Sequence, residues 1–247
     1  MALAKRETSI EQREVVVGTT KGSPGRPIVS MILLALTFVS MMIAIGMIFL
    51  YVPTDAVEGI PQRIFYFHVP VAWIGMLAFG VLAIGGIGYL WKKDERWDWL
   101  ARASAEIGTV FITLALITGS IWGRTTWGTW WTWDARLTTT LILWFIYIGY
   151  MMLRSYMGRT PASARSAAVL GIIGVIDVPI IYESVNWWRT LHPQPEVGVP
   201  GALPPSVVLT LMVSLLSFTL LYSFLMIQVY QLQKMQTLAQ RLRASVE

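Results

Sequence analysis

The chain has 247 residues, 55% of them hydrophobic and 13% charged, with no cysteine and two histidines. A mean hydropathy of +0.59 is too apolar for a water-soluble domain, and the missing cysteines exclude disulfides, iron–sulfur clusters, thiolate zinc sites and thioether-linked haem. The net charge of +5 is dispersed along the chain rather than gathered in a patch, which argues against a nucleic-acid partner.

Residues 1–27 are polar, contain Gly22-Ser23-Pro24-Gly25 and lack the charged and apolar regions of a cleaved signal peptide. They read as a disordered cytoplasmic tail. Six apolar stretches follow, at about 28–52, 70–91, 103–122, 137–153, 166–182 and 206–230. Each approaches the roughly 20 residues a spanning helix needs. The expected fold is therefore an all-α integral membrane protein, a single six-helix domain over 28–230. No remaining stretch is long enough for a separate soluble domain. Residues 231–247 read as a helical cytoplasmic extension.

Lysine and arginine set the orientation. Fifteen of the 19 lie in the first tail, the second and fourth loops and the C-terminal end. The other four are Arg63, Arg124, Arg136 and Arg189. This asymmetry predicts both termini in the cytoplasm. The outer loops are then about 53–69, 123–136 and 183–205.

Both histidines fall on the outer side. His68 precedes Pro70, which favours the first helical position, so the second span is expected to begin at Pro70 with His68 just ahead of it. His192 closes the run Trp187-Trp188-Arg189-Thr190-Leu191-His192. Between them lies a tryptophan block, Trp122, Trp127, Trp130, Trp131 and Trp133, followed by Asp134. Tryptophan commonly forms belts at both membrane interfaces. Here only Trp91, Trp97 and Trp99 of the twelve fall on the cytoplasmic side. A one-sided block of rigid rings makes a platform for a flat apolar ligand.

Two histidines beside such a platform suggest haem, whose iron takes axial imidazoles. Its propionates suit arginine, with Arg63 and Arg136 the preferred partners over Arg124 and Arg189. Asp134 is expected to cap the fourth span or to pair with Arg136. Two further acids lie at membrane depth. Asp177, next to Pro179, reads as a charge at a helix kink reaching the outer interface. Glu106 suits the start of the third span through the helix dipole.

The run Trp127-Gly128-Thr129-Trp130-Trp131-Thr132-Trp133-Asp134-Ala135-Arg136-Leu137-Thr138 resembles the tryptophan-rich signature of the haem-handling membrane proteins of cytochrome c maturation. His68-Val69-Pro70 and Asn186 through His192 resemble the flanking segments of their six-span CcmC family. The larger CcmF and CcsA relatives have more helices and more histidines. The resemblance covers about residues 60–230.

It implies a cytochrome c biogenesis protein of the bacterial inner membrane that holds haem b non-covalently at the outer face, with His68 and His192 as axial ligands. Trp127, Gly128, Trp130, Trp131, Trp133 and Asp134 would carry the platform and chaperone-docking signature, joined by Trp187 and Trp188. The implied partners are the haem chaperone CcmE, the ABC-type pair CcmA and CcmB, the small protein CcmD and membrane lipid. Neither a P-loop nor a dinucleotide fingerprint occurs, so a delivery protein rather than an enzyme is expected. The competing readings are an electron-transfer cytochrome b subunit, and a transporter or structural subunit using the tryptophan block as a docking surface.

Overall fold

The computed structural model describes residues 25–194 and 199–246, so the expected tail falls almost wholly outside the described residues. The described chain is helical, and six helical segments are long and apolar enough to cross a membrane. Helices satisfy their own backbone groups in lipid, which explains the absence of any sheet ladder among the described residues.

Helix α1 runs Gly25–Gly46 and widens into a π-helical turn at Met47–Tyr51. A short 3-10 turn at Ile60–Ile64 leads into α2, Phe65–Lys92. Helix α3 is Glu95–Trp127 and α4 is Ala135–Tyr156. The fifth span is two helices, α5 at Pro161–Gly174 and α6 at Asp177–Trp187. Helix α7, Pro205–Ala244, includes the expected C-terminal extension without a break.

The centre of the bundle is the α2–α3 pair, with α4, α5 and α7 packed around it. Its core comprises Val71, Ile74, Phe79, Leu82, Phe111, Ile112, Leu143 and Tyr147. Buried hydroxyls find partners across helices: Tyr147 donates to the Gly75 carbonyl at 2.8 Å, and Ser104 Oγ lies 2.7 Å from both the Ala78 carbonyl and Tyr222 Oη. Such bonds hold spans together where lipid supplies no alternative partner. Helix α1 lies against α7 and exposes most of its large apolar side chains, including Met31, Phe38 and Met42.

Several expected boundaries move. Helix α2 starts five residues before Pro70, so His68 sits inside its first turn rather than ahead of it. Pro70 removes one backbone donor, but buried Tyr66 packs with Ile48, Val52, Val207 and Leu211 and secures the start of the helix. Helix α3 continues to Trp127, which shortens the second outer loop to 128–134. The fifth span breaks at Val175–Ile176, where Val178 N–H bonds to the Val175 carbonyl in a tighter turn. Pro179 lacks the next donor, which favours a break at this point. Asp177 begins α6 at the helix break expected beside Pro179, buried and with Oδ2 unpartnered among the described residues. Helix α3 begins at Glu95, so Glu106 lies about three turns inside it rather than at its start as expected, and it accepts from Gln233 on α7.

Candidate functional site at the outer end

His68 is anchored through one nitrogen. Its Nδ1 lies 3.0 Å from Thr118 Oγ1 on α3, and Thr118 Oγ1 lies 2.7 Å from the Leu114 carbonyl. A threonine hydroxyl has one proton, and the carbonyl can only accept. We therefore assign that proton to Leu114, so that Nδ1–H of His68 donates to Thr118. Nε2 is then left unprotonated, the state needed for binding a metal. The ring rests on Gly119, where a Cβ would stand 2.8 Å from its Cε1. Trp122 meets the ring edge-on at 5.8 Å between centroids, and its indole N–H donates to Glu58 Oε2 at 2.9 Å. Asp55 holds Glu58 in place by accepting from the backbone N–H groups of Glu58 and Val57, which keeps its carboxyl below the usual carboxylate range.

His192 is anchored through the second and third outer loops. Gly128 ends α3 at φ +75°, a left-handed conformation that favours glycine. The loop then runs to Asp134, whose Oδ1 accepts from Leu137 N–H at 2.9 Å and caps α4, as expected. Its Oδ2 accepts from the Thr190 hydroxyl at 2.8 Å rather than from Arg136. Thr190 Oγ1 in turn accepts from the His192 backbone N–H at 3.0 Å. The imidazole lies edge-on to Trp127, 6.4 Å between centroids, with Arg136 Nη1 3.3 Å from its Nδ1. Burial, and then the Arg136 charge, hold the His192 imidazole below its ordinary value and so favour the neutral ring. Both imidazoles lie against the same end of α3, on Trp122 and Trp127.

Gly128→Ala is expected to cost about 1–2 kcal/mol, because alanine carries a steric penalty at positive φ. The check is thermal unfolding, and a melting temperature equal to wild type would contradict it.

The tryptophan block divides in two. Trp122 and Trp127 lie on α3 and flank the histidines. Trp130, Trp131 and Trp133 line an open apolar groove of about 620 Å³ with Leu116, Ile117, Ser120, Ile121 and Leu141. Trp131 and Trp133 meet edge-on at 5.7 Å, and Trp133 is 76% exposed. Trp187 and Trp188 form a second edge-on pair at 5.7 Å, both exposed.

Several polar groups here have no partner among the described residues. Arg63 places its guanidinium 5.4 Å from the Phe49 ring centroid, and its Nε is buried without a bond. Trp131 Nε1 and Thr132 Oγ1 are likewise unsatisfied. Arg124 instead donates to the Gly128 carbonyl, and Arg189 is exposed. Thr118, Gly119 and Thr190 carry no motif that would single them out in the sequence. The spacing of Thr190 two residues before His192 is the one available hint.

The profile of the family described as "CcmC: Heme exporter protein C" matches residues 25–246. The "Heme exporter protein C" of Bradyrhizobium diazoefficiens is 44% identical over 172 residues, 69% of this chain and 65% of that protein. The protein of the same description from Escherichia coli is 40% identical over 172 residues, 69% of each chain. A ccmC-like mitochondrial protein of cytochrome c biosynthesis from Marchantia polymorpha is 40% identical over 149 residues, 60% of this chain and 63% of that protein. The aligned segments thus span slightly under two thirds of the first and third of these relatives. With a profile match over nearly the whole described chain, the protein belongs to the CcmC heme exporter protein C family of cytochrome c biogenesis.

Proposed function

We propose that this chain binds haem b at the outer face of the bacterial inner membrane and delivers it to the chaperone CcmE. The observation that carries the reading is that His68 and His192 come from separate elements to the same end of α3, their rings edge-on to Trp122 and Trp127. Haem iron supplies two axial positions, and two neutral imidazoles suit them.

The residues present fit such a group. Thr118 orients His68 so that Nε2 is free, and Gly119 leaves room for its ring. Asp134 and Thr190 hold the backbone of His192. The unpaired Nε of Arg63 and the guanidinium of Arg136 would hold the propionates. The exposed rings of Trp130 and Trp133, with Trp187 and Trp188, would form the surface on which CcmE docks. CcmA, CcmB and CcmD would assemble with the chain, and the ABC-type pair would supply the energy this chain has no motif to supply.

An electron-transfer cytochrome b would carry both histidines well within its spans. His68 lies in the first turn of α2, and His192 stands in a loop, which favours delivery. Rapid reduction by a quinol analogue would support the cytochrome reading instead. The broken fifth span at Asp177 is the feature a transporter would use, and failure to retain haem on gentle purification would favour that class.

The test is capture of CcmE by the haem-loaded protein. Changing Trp130, Trp131 and Trp133 together to alanine is expected to reduce capture by at least about tenfold, as loss of exposed aromatic anchors does. Haem absorbance should persist. Capture equal to wild type would remove the docking role from this loop.

A further inference from the structure

The two histidines are held by unlike means. His68 projects from a helix and donates through Nδ1 to a neutral hydroxyl, an arrangement that raises the basicity of Nε2. His192 stands outside any helix. Its Nδ1 lies 3.0 Å from its neighbour Pro193's carbonyl and 3.3 Å from the Arg136 guanidinium, so a carbonyl and a cation compete for one nitrogen. A cation at that distance draws electron density from the ring and weakens it as a donor.

The backbone of His192 is secured from another loop. Its N–H donates to Thr190 Oγ1, and the Thr190 hydroxyl donates to Asp134 Oδ2. The second carboxylate oxygen of Asp134 is fixed on the first turn of α4. One carboxylate therefore ties the His192 backbone to a helix end through a single hydroxyl, beside the Arg136 contact to its ring and the bond from Gln194 Nε2 to the Val185 carbonyl at 2.7 Å. Loops held by few bonds open at lower free energy than helices packed in a core.

We propose that Asp134 and Thr190 form a latch that positions His192 as the exchangeable axial ligand, while His68 remains the fixed one. This inference rests on the ligation reading above. Opening the latch frees the His192 side of the iron without disturbing α2. That side would then be open to an acceptor, with His68 the last residue of this chain to hold the haem. Asp134 and Thr190 are positioning residues, acting on haem only through His192.

Carbon monoxide binding to the ferrous haem-loaded protein tests this, because the probe must displace one axial imidazole. Thr190→Val keeps the side-chain shape and removes the hydroxyl. It should speed carbon monoxide binding by about tenfold, the effect of losing one hydrogen bond to a charged group. Thr190→Ser should restore the wild-type rate, which a purely structural role of the methyl group would not allow. Thr118→Val should accelerate binding less than Thr190→Val, and should instead shift the haem reduction potential. An unchanged rate in Thr190→Val, or a larger acceleration in Thr118→Val, would overturn the latch. Failure of the ligation reading is separable: the spectrum of the wild type would then survive removal of both histidines, whatever the carbon monoxide rates.

Discussion

Replacing both His68 and His192 by alanine is expected to abolish the haem Soret band of the purified protein, with affinity lowered by at least about 100-fold. Even the groups that orient metal ligands are typically worth 10–100-fold in affinity, so the ligands themselves set a lower bound above that range. The two single variants should differ from the double. His192→Ala leaves the imidazole of His68 on its Thr118 support, and externally added imidazole should restore a six-coordinate spectrum. His68→Ala leaves the ligand whose nitrogen is contested by Arg136 and Pro193, and should retain less haem. Both substitutions remove side chains without introducing charge, and the main core around Phe79 and Tyr147 does not include either histidine. The variants should therefore fold, as the helical far-ultraviolet signal and monodisperse elution would report. A double variant with an unaltered Soret band would remove both residues from the iron.

The sequence carried the architecture because lipid leaves few alternatives. Six apolar stretches are a global signal, and small errors at segment ends do not erase it. Helix ends were less legible. Pro70 marks a helix start by local rule, yet Tyr66 finds a buried place against α7 and the helix begins earlier. Trp127 belongs to α3 because nothing stops the helix before Gly128, the first residue after Trp127 to take a positive φ. The candidate site was legible where it depends on residue type: two histidines and the indoles beside them, with Arg136 against His192 and Arg63 placed over Phe49. It was not legible where it depends on reach. Asp134 and Thr190 are 56 residues apart, and His68 and Thr118 are 50 apart. Threonine and glycine are too common in spans for such pairs to be found without the fold. The single platform read from the tryptophan block divides for the same reason. Trp122 and Trp127 are placed by the helix, whereas Trp130, Trp131 and Trp133 are placed by the loop that follows it.

Asp98→Ala is expected to destabilise the protein by about 3–5 kcal/mol while leaving bound haem spectroscopically unchanged. Asp98 lies in the first turn of α3, at the opposite end of that helix from Trp122 and Trp127. Its Oδ2 is 2.7 Å from Arg154 Nη2 on α4 and 3.8 Å from Arg102 Nε one turn along α3. Arg102 also donates to the Gly158 carbonyl at 3.3 Å. Both guanidiniums are buried, and Arg154 already has Nε and Nη1 without partners. Removing the carboxylate would strand two cations among packed helices, and that desolvation outweighs the loss of the contact itself. Thermal unfolding should therefore shift downward by on the order of 10 °C. Asp98→Leu combined with Arg154→Met removes the same ion pair but also one of the stranded charges, so it should cost less than Asp98→Ala alone. If the double variant were the less stable of the two, the ion pair itself would be the source of stability, and the stranded-charge account would fail. A melting temperature for Asp98→Ala within a degree or two of wild type would mean that water reaches Arg102 and Arg154 and already solvates them.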